Sequence, residues 1–210
     1  MNTKEQAEEF IKNSRSAIKH LFDALTDYNG VVKKAQATVE EIKMSEQKLS
    51  DLFMYREQWS PNANHHYAQY IARMKDLENQ KKAAQNNDAE KLEKALASIG
   101  TAIESMSSLA GAVLQISKQS LSLRYSGKPN ITGARQIGSQ SVVEVIWEGR
   151  NRAMHWDDGE PKERVRNMLN ALSTDLGITI ESGKNNCLSI LGALEWKTPG
   201  KVESDLRALV

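Results

Sequence analysis

Hydrophobic residues return at alternating spacings of four and three over most of the first 125 positions of this 210-residue chain. Ala7, Ile11, Ser14, Ile18, Leu21, Leu25 and Tyr28 carry the first run, with Phe10 and Phe22 beside it. That rhythm predicts a heptad-like helix, and Asn29-Gly30, a helix-stopping pair, predicts its end. Val32, Ala35, Val39, Ile42, Leu49 and Phe53 predict a second helix, interrupted on its seam by Glu46. Ser60-Pro61-Asn62 reads as a turn with Pro61 set for a helix start, and Tyr67, Tyr70, Ile71, Met74 and Leu77 as a third apolar face. Asn86-Asn87-Asp88 predicts another break and a cap for a fourth helix. There Leu92, Leu96, Ile99, Ile103, Met106, Ala110 and Val113 hold the four-three rhythm without interruption, in a pattern that reaches toward Leu123. Residues 4–125 therefore read as long antiparallel helices packed in the manner of a coiled coil.

After Val113 the pattern shortens. Ser126 to Gly133 is a loop rich in Gly, Pro and Ser. A helix is expected over about 140–155 and another over 160–176, with Pro161 and acidic residues in its first turn, Val165, Met168, Leu169 and Leu172 as its apolar face, and Gly177 at its end. Ile178-Thr179-Ile180 reads as a short strand. Cys187 to Trp196 fits either strand or helix, and Val202 to Val210 reads as a terminal helix. The expected fold is all-α: a helical bundle over 1–177 with a small C-terminal appendage, 178–210.

Composition narrows the class. Hydrophobic residues make up 40% and charged residues 26%, the proportions of a soluble globular chain. A net charge of +1 provides no global field, so a nucleic-acid partner must be held by a local basic patch. The single cysteine, Cys187, excludes an intrachain disulfide. No signal peptide or membrane span is evident in the pattern, and a cytoplasmic protein is expected.

The chemistry gathers in the helix expected over 140–155. Val143, Ile146, Trp147 and Met154 form an apolar stripe, and Arg150 falls in the middle of it. An unpaired arginine there costs several kcal/mol, so it needs a partner. Glu144, Glu148, Asn151 and His155 share the opposite face, with Asn151 and His155 four apart and able to touch. Trp156-Asp157-Asp158-Gly159 then breaks the helix, and Asp157 and Asp158 read as caps for the next one.

The segment Arg150-Asn151-Arg152-Ala153-Met154-His155 resembles the signature of the HEPN superfamily, in which an arginine and a polar residue, often asparagine, precede a histidine by a few positions. The resemblance implies a metal-independent endoribonuclease of the prokaryotic toxin or defence-effector type, with RNA as substrate and no cofactor. It implies Arg150, Asn151 and His155 as catalytic residues and a homodimer that brings two motifs into a shared cleft. A cognate antitoxin or defence-system partner comes with it. Arg152 and Trp156 are expected to contact the RNA, the latter by stacking on a base.

The chemistry needs no metal: histidine can serve as base or acid near neutral pH, and an arginine fork stabilises charge on the phosphoryl oxygens. Arg15 and His20 repeat the spacing in the first helix, but His20 lies opposite the apolar seam and Arg15 only flanks it, which predicts a surface pair. His65-His66 is the one other histidine cluster; neighbouring histidines point apart on a helix, so no metal is expected there. The rival readings are an inactive HEPN-like scaffold, a coiled-coil subunit of a larger assembly and a nucleotide-binding regulator.

Overall fold

A computed structural model of the chain describes residues 3–56, 67–181 and 183–210. The turn expected at Ser60-Pro61-Asn62 and the pair His65-His66 lie outside the described residues, as do the side chains of Leu49, Phe53, Tyr67, Tyr70, Ile71, Met74 and Leu77. The fold is all-α. Its elements are α1 (Thr3–Arg56), α2 (Tyr67–Tyr125), β1 (Gln136–Ile137), β2 (Gln140–Ser141), α3 (Val142–Met154), α4 (Glu163–Leu176), α5 (Cys187–Ala193) and α6 (Pro199–Leu209).

The expected breaks at Asn29-Gly30 and Asn86-Asn87-Asp88 do not occur. α1 runs unbroken for 54 residues and α2 for 59. Glycine in a helix interior costs about 1 kcal/mol, which packing on either side outweighs. The α1 seam stays in phase across Gly30, with Phe22 buried before it and Val32, Ala35 and Ile42 after it. Asn86 and Asn87 are exposed, so the helix passes them without burying an amide. The seam of α2 also differs from the expected one. Met106, Ala110 and Val113 are buried as expected, but before them Ala95 and Ala102 are buried while Leu96 and Ile103 stand 54% and 43% exposed, so there the buried line runs one position earlier, through small residues.

The chain divides into two compact units, Met1–Tyr28 with Ile103–Val210, and Asn29–Ala102. In the second, Val32, Ala35, Ile42 and Ala95 are buried. The first holds the main core. Ile11, Ile18 and Phe22 of α1 pack with Ala110, Val113, Leu114 and Leu121 of α2, and Val142, Val145 and Ile146 of α3 join them. Arg124 near the end of α2 donates to Thr3 at the start of α1 at 3.0 Å, so the two helices run antiparallel there. The stretch Gln85–Tyr125 of α2 is, contrary to expectation, long and apolar enough to cross a membrane by length and composition; a third of its most apolar window is buried within the protein.

Helix α4 buries the expected Val165, Met168, Leu169 and Leu172 and ends at Gly177, which takes the left-handed conformation with φ of 64°. Its start is at Glu163, after Pro161. Ile178-Thr179-Ile180 forms no strand; Ile178 and Ile180 lie against the core as irregular chain. The undecided stretch at Cys187 is helical. Residues 178–210 are not an appendage, since Ile190, Leu191, Leu194, Trp196, Val202, Leu206 and Leu209 belong to the same core. The periodicity of so short a stretch does not report burial on several sides at once.

Polar bonds lock this segment in. Asp205 of α6 accepts from Trp196 Nε1 at 2.7 Å and from Arg135 at 2.5 Å, and Arg135 also donates to the Leu194 carbonyl at 2.9 Å. Tyr125 Oη donates to the Leu209 carbonyl at 2.7 Å. Arg15 forms a two-pronged bond with Glu203, both arms 2.8 Å long, so the surface position predicted for Arg15 holds and has a partner.

Burial pushes the Asp205 carboxyl up, but the bonds from Trp196 and Arg135 outweigh it and hold the group below the usual carboxylate range. A depressed carboxyl contributes stability that is complete above its unfolded value, about 4, and is lost as pH falls through the folded value. Asp205→Asn should therefore lower unfolding free energy by about 2 kcal/mol at neutral pH, since Arg135 loses its charged partner. That deficit should shrink below pH of about 4, as measured by urea melts of both proteins across the acid range.

Candidate active site

Helix α3 begins at a conventional N-cap, Ser141, whose hydroxyl accepts from the Glu144 amide at 3.1 Å. It runs close to its neighbours. A methyl group at Gly149 would stand 3.0 Å from Ile190 Cγ2 of α5 and 3.3 Å from Leu114 Cδ1 of α2. One at Gly111 of α2 would stand 3.1 Å from Ala153 Cβ. Two glycines thus let α3 sit close against α2 and α5, and polar side chains on either side of Gly149 can bond across to neighbouring elements.

Arg150 finds its partner here. Its Nε donates to Gln115 Oε1 of α2 at 2.5 Å, and the side chain is half-buried. On the expected stripe Val143 and Ile146 are buried but Met154 is exposed, and Val142, Val145, Glu148, Gly149 and Arg152 are buried as well. Asn151 is engaged at both ends of its amide: Oδ1 accepts from Lys118 Nζ at 2.9 Å, and Nδ2 donates to Glu148 Oε2 at 3.0 Å. Glu148, expected on the face opposite the apolar stripe, is buried and also accepts from Lys128 at 3.0 Å. Lys128 reaches Glu144 as well, at 2.5 Å. Lys118 lies over the Trp147 ring, 4.4 Å from its centre. Burial, then the Arg150 charge, holds the Lys118 ammonium below the usual lysine range, against an opposing pull from Glu148.

Arg152, expected as a contact to RNA, is buried at 3% exposure. Its Nη2 donates to the Lys184 carbonyl at 3.1 Å, and among the described residues Nε and Nη1 have no hydrogen-bond partner. Trp156 is 40% exposed, as base stacking requires, but does not line the cleft described next.

His155 ends α3, with φ of −135° that leaves the helical range. Its Nδ1 stands 2.6 Å from Asp158 Oδ2, so the two residues expected to play separate roles form a pair. Both flank a cleft of about 650 Å³ with Asn151 and Arg152 on one wall and Lys162 and Arg164, from the start of α4, on the other. Asp158 does not cap α4: the cap position is Lys162, without a side-chain bond. The structure thus brings Asn151, Arg152 and His155 to one cleft and turns Arg150 toward α2. A histidine whose Nδ1 is held by a carboxylate presents Nε2 as the reactive nitrogen. Among the described residues no group of three or more His, Cys, Asp or Glu side chains gathers as metal ligands.

The sequence pattern does not mark Gln115, Lys118 and Lys128, which lie 16 to 35 positions from their partners. No local periodicity marks such pairs. The His155–Asp158 spacing of three is a usable signal, because it sits at a helix end where the chain turns back on itself.

No protein-family model matches the chain, and no curated protein or solved structure does so either.

Cys187, the remaining nucleophile near the motif, is buried with its Sγ 3.9 Å from the Gly149 carbonyl. Burial pushes the thiol up to about 12, only partly opposed by the Arg152 charge. The thiolate is the reactive form. Cys187 should therefore resist aromatic disulfide reagents at pH 8 in the folded protein and react at once in denaturant, which absorbance of the released thiolate measures.

Proposed function

We propose that the chain is a metal-independent endoribonuclease that cleaves RNA by attack of an internal 2′-oxygen, as its likeness to HEPN nucleases implies. The observation that carries this reading is the His155–Asp158 pair at a cleft that Lys162 and Arg164 line together with Glu148, Glu160 and Glu163. A base must take the 2′-hydroxyl proton and an acid must protonate the departing 5′-oxygen. His155 Nε2, oriented by Asp158, serves one role; His155 of a second copy serves the other, in a homodimer with both motifs in one cleft. Asn151, Lys162 and Arg164 line the path of the scissile phosphate, and Arg150, which stands outside the cleft beside Asn151, acts on the strand next to it. Toxin or defence-effector use, a cognate antitoxin or defence-system partner and a cytoplasmic site of action rest on the resemblance alone.

A second reading, an inactive HEPN-like scaffold, draws on a specific observation. Arg150 bonds to Gln115 and does not line the cleft, and Arg152 is buried, which suits two structural arginines.

Purified protein incubated with total RNA in excess EDTA separates the two. The nuclease is expected to leave 2′,3′-cyclic phosphate and 5′-hydroxyl ends, and chelation is expected to leave the rate unchanged. His155→Ala should lower it by about two to four orders of magnitude with an unchanged melting curve, while His20→Ala should behave as wild type. Arg150→Ala should remove activity but leave the dimer intact in sedimentation. A scaffold would show no cleavage in any of them, and a magnesium requirement or 5′-phosphate ends would point to the carboxylates around Asp158.

A further inference from the structure

Two cations lie along the seam between α2 and α3, and each is bonded to an uncharged amide. Arg150 Nε donates to Gln115 and Lys118 Nζ to Asn151. Gln115 and Lys118 are three apart, on one face of α2, while Arg150 and Asn151 are consecutive on α3. The two cross-links therefore run side by side and bring both charges into one strip. Both side chains are half-buried, and the face of the Trp147 ring holds the lysine ammonium in place. The nearby carboxylate, Glu148, is already engaged by Lys128 and by Asn151. Burial first, and then the field of Arg150, holds Lys118 below the usual lysine range, against an opposing pull from Glu148. Like charges held together at partial burial are unfavourable, and an anion bridging them relieves both.

We infer that Lys118 and Arg150 form a phosphate subsite for single-stranded RNA, adjoining the His155 cleft through Asn151. Asn151 bonds Lys118 and also lines that cleft, one helical turn before His155. Lys118 acts as a binding residue: it holds a backbone phosphate next to the scissile one and fixes the strand's register, while the arginine fork and the lysine point charge share its oxygens. Only the choice of RNA as the ligand rests on the endoribonuclease reading; the anion site rests on the two cross-links.

The test uses the full chain and a fluorescent 2′-O-methyl RNA oligomer, which binds but offers no 2′-hydroxyl for cleavage. Anisotropy titrations across a salt series give the slope of log affinity against log salt. On a single strand that slope becomes shallower by about 0.7 for each phosphate the protein no longer neutralises. Wild type and His155→Ala should share one slope. Lys118→Gln and Arg150→Gln should each reduce it by about 0.7, weakening binding by about an order of magnitude at low salt and converging toward about 1 M. Lys118→Arg should keep the wild-type slope. Circular dichroism melts verify folding; if Lys118→Gln fails to fold, Arg150→Gln with Lys118→Arg carries the comparison. Folded variants with the wild-type slope, or a wild type that does not bind the oligomer, overturn the subsite. Reduced slopes in a protein that cleaves no RNA uphold the subsite and end the endoribonuclease reading. Unchanged slopes in a protein that does cleave do the reverse.

Discussion

The close approach of α3 to α2 and α5 is the constraint on which the rest of the first unit depends. A Cβ at Gly149 would press on Leu114 and Ile190, and one at Gly111 on Ala153, each closer than ordinary contact. Forcing a methyl into such a place costs roughly 1–3 kcal/mol, because interiors are packed too tightly to yield. That proximity brings Arg150 within reach of Gln115 and Asn151 within reach of Lys118. It also sinks Glu148 and Arg152 below the surface. The polar network follows from the backbone spacing: the buried Glu148 carboxylate is tolerable because Lys128 and Asn151 meet it, whereas the Arg152 guanidinium has the Lys184 carbonyl.

The C-terminal segment completes that packing. α5 supplies Ile190 against Gly149, and α6 is fastened through Asp205, Glu203 and Leu209 to Arg135, Arg15 and Tyr125. His155 is the exception to this rigidity. It stands where α3 ends and the chain becomes exposed, held by one bond to Asp158. An exposed imidazole on a packed scaffold is what the proposed proton transfers need, since the scaffold positions the ring and solvent exposure admits a substrate.

Much of the fold was legible because helix periodicity is a strong local signal. The faces of α1 and α4 and the end at Gly177 follow directly from it. What failed were the breaks. Asn29-Gly30 and Asn86-Asn87-Asp88 look like stops in isolation, but a seam that stays in phase overrides a cost of about 1 kcal/mol. The tail 178–210 escapes a sequence reading for a related reason, since a short helix buried on several sides carries no clean amphipathic pattern. Of the candidate site, the gathering of Asn151 and His155 near a helix end was readable from their spacing of four. The direction of Arg150 was not, because the amide that receives it lies on another helix, and neither was the burial of Glu148 and Arg152. A charged residue reads as solvated until its distant partner is known.

In the proposed mechanism His155 promotes attack by the RNA's own 2′-oxygen. The most direct measurement replaces one ribonucleotide, 5′ to a mapped cleavage bond, with its 2′-deoxy counterpart and follows that bond in EDTA. Loss of cleavage there, with neighbouring bonds still cut, is the expected result. Continued cleavage at the substituted bond would mean that water or another nucleophile attacks the phosphate, and the proposed role of His155 would fail with it.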